Sequence, residues 1–124
     1  MKKAVFLDRD GVINEAFIKN GQPSSPNSLD ELKILPGVKE SILRLKKLNF
    51  ICLGVTNQPE VTRGKINKNT VIKMNSFLKK KIELDDIFVC YHDDKDNCNC
   101  RKPKPGLLLQ ASKKWNVDFK KSFI

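Results

Sequence analysis

The stretch that most constrains this chain is Ala4-Val5-Phe6-Leu7, followed at once by Asp8-Arg9-Asp10-Gly11. A short apolar run of this kind suits a strand buried on both faces, as in a parallel sheet covered by helices on two sides. The run stops at two carboxylates separated by one residue, with a glycine next. Acids at the carboxyl end of such a strand stand where open α/β sheets bind ligands. One carboxylate can attack an electrophile and form a covalent intermediate such as an aspartyl phosphate. The other can protonate the leaving group and then take a proton from water. Two carboxylates and a phosphate dianion repel one another unless a cation lies between them, so the pair calls for Mg²⁺ and its preference for oxygen ligands. Asp and Gly are also ordinary turn residues, and the same stretch reads equally as a plain turn.

Further along, Glu15 to Leu35 lacks clean periodicity. Gly21, Pro23, Pro26 and the Ser24–Ser28 run mark it as a loop that could lean over the acids. Pro36-Gly37 opens a helix carrying Val38, Ile42 and Leu45 on one face, with Asn49 as its stop. Phe50 to Val55 reads as a second buried strand ending at Thr56-Asn57-Gln58-Pro59. The Thr56 hydroxyl and the Asn57 and Gln58 amides can donate to phosphate oxygens there, although these residues also make a good turn. Asn69 to Ile82 is predicted helical, with Val71, Met74, Phe77, Leu78 and Ile82 on one side. Asp85-Asp86 breaks it, and Ile87 to Tyr91 forms a third strand.

Cys90, His92, Cys98 and Cys100 then fall within a short polar stretch. Three thiolates and one imidazole complete a tetrahedral zinc shell with no open position, which is a structural site rather than a catalytic one. The alternative is a lone surface histidine near incidental cysteines. Arg101-Lys102-Pro103-Lys104-Pro105-Gly106 follows directly. A lysine just ahead of the helix predicted around Leu107, Leu108, Ala111 and Trp115 would make a seat for phosphate. Asn116-Val117-Asp118 reads as a turn and Ser122-Phe123-Ile124 as the first residues of a fourth strand.

The 124 residues fit one domain, and 40% are hydrophobic, as in ordinary globular proteins. No run is apolar enough to span a membrane, and Asp8 cuts the N-terminal apolar segment too short for a signal peptide. The cytoplasm is therefore expected, and with it thiols rather than disulfides. The net charge of +10 invites phosphorylated ligands, acidic membranes or nucleic acid. The lysines are spread over helix faces, as at Lys46-Lys47, Lys79-Lys80-Lys81 and Lys113-Lys114, which fits a solvated surface. Cys52 lies in an apolar strand and is expected in the core.

These pieces in this order resemble the haloacid dehalogenase superfamily of aspartate-dependent phosphatases. The nearest branch is similar to the D-glycero-D-manno-heptose 1,7-bisphosphate 7-phosphatases, with histidinol-phosphate phosphatases as relatives. Phe6 to Asn14 matches the family's first motif, Val55 to Gln58 its second and Arg101-Lys102-Pro103 its third. Cys90, His92, Cys98 and Cys100 match that branch's zinc loop.

The resemblance implies an α/β fold, a Rossmann-like three-layer sandwich with a central parallel sheet and a zinc-binding loop. It implies a cytoplasmic phosphatase of carbohydrate metabolism, supplying lipopolysaccharide precursors. Asp8 would be the nucleophile and Asp10 the general acid/base. Mg²⁺ would be held by the Asp8 carboxylate and the Asp10 backbone carbonyl. Thr56, Asn57 and Lys102 would bind phosphate, Lys102 would also offset the charge of Asp8, and Arg101 and Arg63 would contact the substrate's distal part.

Gln58 to Gly64 and Pro105-Gly106 favour the heptose substrate over histidinol phosphate. The family's fourth motif, a Gly-Asp pair that completes the Mg²⁺ shell, has no counterpart after Ile124. The expectation is thus a single domain over 1–124 lacking that motif, truncated at the C-terminal sheet edge, monomeric or weakly self-associating. A catalytically impaired, zinc-stabilised module that binds phospholigands or a protein is the alternative. A basic nucleic-acid module is disfavoured, because Tyr91 is the zinc loop's only nearby aromatic for base stacking.

Overall fold

The computed structural model describes residues 1–93 and 96–124. Asp94 and Lys95, within the loop expected to wrap a metal, and the side chains of Lys19, Gln22 and Pro23 lie outside the described residues. Three parallel strands, β1 (Lys3–Leu7), β4 (Phe50–Asn57) and β5 (Asp86–Cys90), form a sheet in the order β1-β4-β5. Val5 pairs with Cys52 and Leu7 with Gly54; on the other side of β4, Val55 pairs with Phe88 and Asn57 with Cys90.

Side chains alternate across a strand, so each strand feeds two cores. On one face Leu7 and Cys52 pack with Ile42 of α1 (Val38–Lys47) and with Val71, Met74 and Leu78 of α2 (Lys68–Lys81). On the other, Ala4, Phe6, Leu53, Val55 and Cys90 pack with Leu107 and Ala111 of α3 (Gly106–Trp115). Helices on both faces of a parallel sheet make the expected three-layer α/β arrangement. Gly54 of β4 leaves room for Ile87 of β5: a Cβ there would lie 3.2 Å from Ile87 Cγ1.

The structure refines several expectations. Within Glu15 to Leu35 lies a hairpin, β2 (Phe17–Lys19) paired antiparallel with β3 (Gln22–Ser24). Asn20 and Gly21 both have positive φ, 52° and 74°. That is the two-residue turn favoured between twisted antiparallel strands, and Asn-Gly is its usual sequence. On α2, Phe77 points outward and is 42% exposed. The inner face is carried by Val71, Met74 and Leu78, as expected, with Asn75 in addition. After a 3₁₀ turn at Phe119–Lys121, the C-terminal residues run parallel beside β1. The Phe6 amide donates to Phe123 O at 2.8 Å and the Phe123 amide to Ala4 O at 2.9 Å, as expected for the start of a strand.

No helix among the described residues is long and apolar enough to cross a membrane.

Candidate active site and metal cluster

β1 ends at Leu7, and the chain turns tightly around the carbonyl of Arg9, which accepts from the amides of Val12, Ile13 and Asn14 at 3.2, 2.8 and 3.1 Å. Gly11, at φ 89°, supplies the left-handed step this turn needs. Asp8 and Asp10 are thereby fixed at the carboxyl end of the sheet.

They border a cleft of about 400 Å³ that Thr56, Asn57, Arg63, Arg101 and Lys102 also line, with Ala16, Ser24, Ser25, Pro59 and Glu60. All seven catalytic and phosphate-binding candidates from the sequence therefore converge on one hollow, although they come from three separate stretches of chain.

Asp8 is half exposed to this cleft (49%), and its Oδ1 lies 2.8 Å from Lys102 Nζ. The same oxygen accepts from the Arg9 amide at 2.8 Å. Lys102 Nζ also donates to Val55 O at 3.0 Å, which holds the ammonium at the end of β4. Asn57 has a different local role from the one its amide suggested. Its Oδ1 accepts from the Lys102 amide at 3.1 Å and its Nδ2 donates to Lys102 O at 3.4 Å. Both ends of the side chain thus clip the Lys102 backbone to β4.

Asp10 is surrounded more completely. Its Oδ1 accepts from Arg9 Nε and Asn14 Nδ2, each at 3.0 Å. Its Oδ2 accepts from Ser25 Oγ at 2.6 Å and Gln58 Nε2 at 3.0 Å. Burial pushes this carboxyl up. The Arg9 guanidinium and the hydrogen bonds from Ser25, Asn14 and Gln58 outweigh burial and hold it below its ordinary value. Gln58 is itself buried and also donates to Thr56 Oγ1 at 2.9 Å, so it ties Asp10 to Thr56. The loop after β3 does lean over the acids, through Ser25 on Asp10, and at the end of β3 Ser24 Oγ donates to Glu60 Oε1 at 3.0 Å.

Arg9, Asn14, Ser25, Glu60 and Asn75 were not singled out from sequence. Arg9 and Asn14 lie inside the first motif, where position alone hints at a role. Ser25 and Asn75 reach the site only through the fold.

Cys90, His92, Cys98 and Cys100 gather with all four candidate ligand atoms within 4.8 Å of one another. Cys90 Sγ and Cys100 Sγ each lie 3.6 Å from Cys98 Sγ, and His92 Nδ1 lies 3.8 Å from Cys90 Sγ and 3.4 Å from Cys100 Sγ. A tetrahedral centre with metal–sulfur bonds near 2.3 Å sets neighbouring sulfurs about 3.8 Å apart. The two distances to Cys98 fall just inside that spacing and the donors fit such an ion, whereas the Cys90–Cys100 pair, at 2.8 Å, stands well inside it.

The thiols also resist ionising together. For Cys98, burial is outweighed by the amides of Arg101 and Cys100, which with the neighbouring thiols bring it down to about 6. Burial together with Cys90 and Cys98 pushes Cys100 up to about 12. Three adjacent sulfurs can all be thiolates only with a cation among them. The cluster abuts the cleft. Arg63 pairs with Asp93 through Nε at 2.5 Å and Nη2 at 2.9 Å, and Arg101 Nη1 donates to His92 O at 3.2 Å.

Residues 4–123 match the family model described as polynucleotide kinase 3 phosphatase. The chain is 34% identical to the D-glycero-beta-D-manno-heptose-1,7-bisphosphate 7-phosphatase of Pasteurella multocida, a match covering all of this chain and 70% of that protein. It is 33% identical to the Haemophilus influenzae enzyme of the same name, over 95% of this chain and 67% of that one. Among solved structures, the D,D-heptose 1.7-bisphosphate phosphatase of B. bronchiseptica, complexed with magnesium and phosphate, is 31% identical. It superposes with a TM-score of 0.79 over 95% of this chain and 65% of its own. The chain thus spans about two thirds of the length of these relatives. The cleft with its two strand-end acids, the parallel sheet and these matches agree, and the chain belongs to the haloacid dehalogenase-like phosphatases, in the family described as polynucleotide kinase 3 phosphatase.

Proposed function

We propose that this chain is a phosphomonoesterase that removes the C7 phosphate of D-glycero-D-manno-heptose 1,7-bisphosphate through an aspartyl phosphate on Asp8. The observation that carries the reading is the 2.8 Å contact between Asp8 and Lys102 across a cleft that Asp10 and Thr56 also line. Such an arrangement brings a nucleophile, an acid/base and a cation to one hollow. Lys102 and the Thr56 hydroxyl would take the phosphoryl oxygens while Asp8 attacks phosphorus. Asp10 would protonate the departing sugar oxygen and then accept a proton from the water that cleaves the acyl phosphate. Arg63 and Arg101, which also line the cleft, would receive the rest of the substrate, including a second phosphate.

Hard oxygen donors at Asp8 and at the Asp10 backbone carbonyl suit Mg²⁺, and the B. bronchiseptica relative was solved with magnesium and phosphate. When bound, Mg²⁺ would offset the charge on the carboxylates and the transferring phosphoryl group.

Zinc is the ion we assign to the Cys90, His92, Cys98 and Cys100 cluster, because three thiolates and an imidazole are its usual closed structural set. Its role would be to hold Arg101 and Lys102, the residues straight after Cys100.

The heptose substrate is favoured by the names of the relatives. A 3′-phosphorylated nucleic acid is the second reading, favoured by the description of the matching family model. The test is phosphate release with Mg²⁺ from heptose bisphosphate, histidinol phosphate and a 3′-phosphorylated oligonucleotide. The highest kcat/KM is expected on the heptose bisphosphate. Preference for either competitor would reassign the substrate, and no release from any of the three would overturn the enzyme reading.

A further inference from the structure

Arg9 stands between the two acids in sequence, but its side chain turns inward and is fully buried, 0% exposed. A guanidinium does not give up its charge, and a buried one costs several kcal/mol unless paired and hydrogen-bonded. Its partners are specific. Nε donates to Asp10 Oδ1, and Nη2 lies 2.9 Å from the same oxygen in an ionic contact without hydrogen-bond alignment. Nη1 donates to Asn75 Oδ1 at 3.0 Å.

Asn75 sits on the buried face of α2 beside Val71, Met74 and Leu78 and is only 7% exposed. A buried amide with an unsatisfied group is destabilising, and Asn75 Nδ2 has no hydrogen-bond partner among the described residues. Leucine would fill that face at less cost. What asparagine supplies there is its oxygen, which is spent on Arg9.

This makes the two oxygens of Asp10 unequal. Each oxygen accepts two hydrogen bonds, but Oδ1 takes its pair from the buried Arg9 cation and Asn14, while Oδ2 takes its pair from the neutral Gln58 and from Ser25, which lines the cleft. We propose that Arg9, anchored by Asn75, is a positioning residue that holds Asp10 by Oδ1 so that Oδ2 faces the scissile bond and exchanges the proton. The proposal rests on the general acid/base role given to Asp10 above. As the Asp8 oxygen bonds to phosphorus and the phosphorus–sugar oxygen bond breaks, the proton on Oδ2 passes to the leaving alkoxide. Water then attacks the aspartyl phosphate, its proton returns to Oδ2, and inorganic phosphate and free Asp8 result. No oxidant or second substrate is required.

The test compares the chain with its Asn75→Leu, Asn75→Asp and Arg9→Lys variants, with Mg²⁺, on monophosphates with leaving groups from p-nitrophenol to a simple alcohol. Proton delivery matters greatly for an alkoxide and little for p-nitrophenolate. General acid catalysis contributes on the order of 10²–10⁴-fold, so partial misplacement in Asn75→Leu should cost about 10–100-fold in kcat/KM on the alkyl ester. On p-nitrophenyl phosphate the loss should be at most about threefold. Asn75→Asp keeps the acceptor for Arg9 and should recover part of the alkyl-ester rate. Arg9→Lys keeps the charge but cannot fork between Asp10 and Asn75, and should repeat the selective loss if Asn75→Leu does not fold. A purely structural defect lowers the active fraction and hence all substrates alike. Equal losses across the series would overturn this proposal and leave the Asp8 reading intact, whereas an unmutated chain inactive on every ester would overturn both.

Discussion

Replacing Gly106 with alanine probes how the metal cluster, α3 and the cleft are joined. An added Cβ would lie 2.2 Å from Asn99 O and 2.6 Å from both Asn99 C and Cys100 Cα. These are backbone atoms on the chain between two candidate ligands, and ordinary van der Waals contact is 3.4–4 Å. The contact must therefore open by about 1 Å, which also strains the 3.0 Å hydrogen bond from the Gly106 amide to Asn99 O. Overpacking of this kind costs about 1–3 kcal/mol, and the weakened hydrogen bond adds about 1 kcal/mol. A total near 3 kcal/mol should lower the melting temperature of a chain this size by roughly 10–15 °C.

The same shift moves Cys100 Sγ away from the other ligands and displaces Arg101-Lys102. A misplacement of about 1 Å at a positioning group can cost 10²-fold in rate. The assays are thermal unfolding with and without bound metal, zinc content after dialysis against a weak chelator, and kcat/KM. An alanine variant that melts within 1–2 °C of its parent (well under the ~10 °C worked above) and retains its metal would refute the reasoning.

Lys102→Met keeps the stem but removes the cation at Asp8, and should reduce kcat by about 10²–10³-fold with the fold preserved; steady-state kinetics beside a circular dichroism spectrum would check it. Stripping the Cys/His cluster with a strong chelator should lower the melting temperature and the activity together, both returning on addition of Zn²⁺ but not Mg²⁺.

Asp86 receives Trp115 Nε1 at 3.0 Å and pairs with Lys114 at 2.6 Å and Lys79 at 3.6 Å, so one carboxylate draws α2 and α3 onto β5. Burial pushes its pKa up, but the bonds from Lys114, Trp115 and the Ile87 amide, with the Lys79 charge, hold it below the ordinary 3.8. A carboxylate depressed in the folded state stabilises above its unfolded pKa, and that contribution fades as pH falls through the folded value. Asp86→Asn should thus cost about 1–3 kcal/mol near neutrality. Its stability should change less with pH below about 4 than the parent's, as denaturant titrations across that range would show.

Much of this site was legible because its chemistry lies in short contiguous motifs. Asp8 and Asp10 end one strand, Thr56 and Asn57 end the next, and Lys102 follows the Cys/His cluster, so a parallel sheet brings them to one edge without further information. The helices followed from apolar periodicity. What sequence pattern could not supply was which polar residues turn inward. Asn75 breaks the apolar stripe of α2, and periodicity placed Phe77 on that face with Val71, Met74, Leu78 and Ile82, whereas Phe77 is exposed. The answer depends on Arg9, 66 residues away, and on a contact that exists only after α2 packs against the sheet. Asn57 was read as an amide donor for phosphate because strand-end amides often are. That its two ends meet the Lys102 backbone follows from the path of the loop after the cluster. The hairpin at Asn20-Gly21 was readable from its turn dipeptide, but the flanking strands of three residues each are too short to show alternation.

The central claim is that Asp8 becomes phosphorylated during turnover. Rapid acid quenching with substrate and Mg²⁺, followed by peptide mass spectrometry, measures it directly. The account predicts one phosphoryl group, located on Asp8 and absent from an Asp8→Asn variant that has lost turnover. Phosphate release that persists in Asp8→Asn, or a phosphoryl group found on another residue, would contradict it.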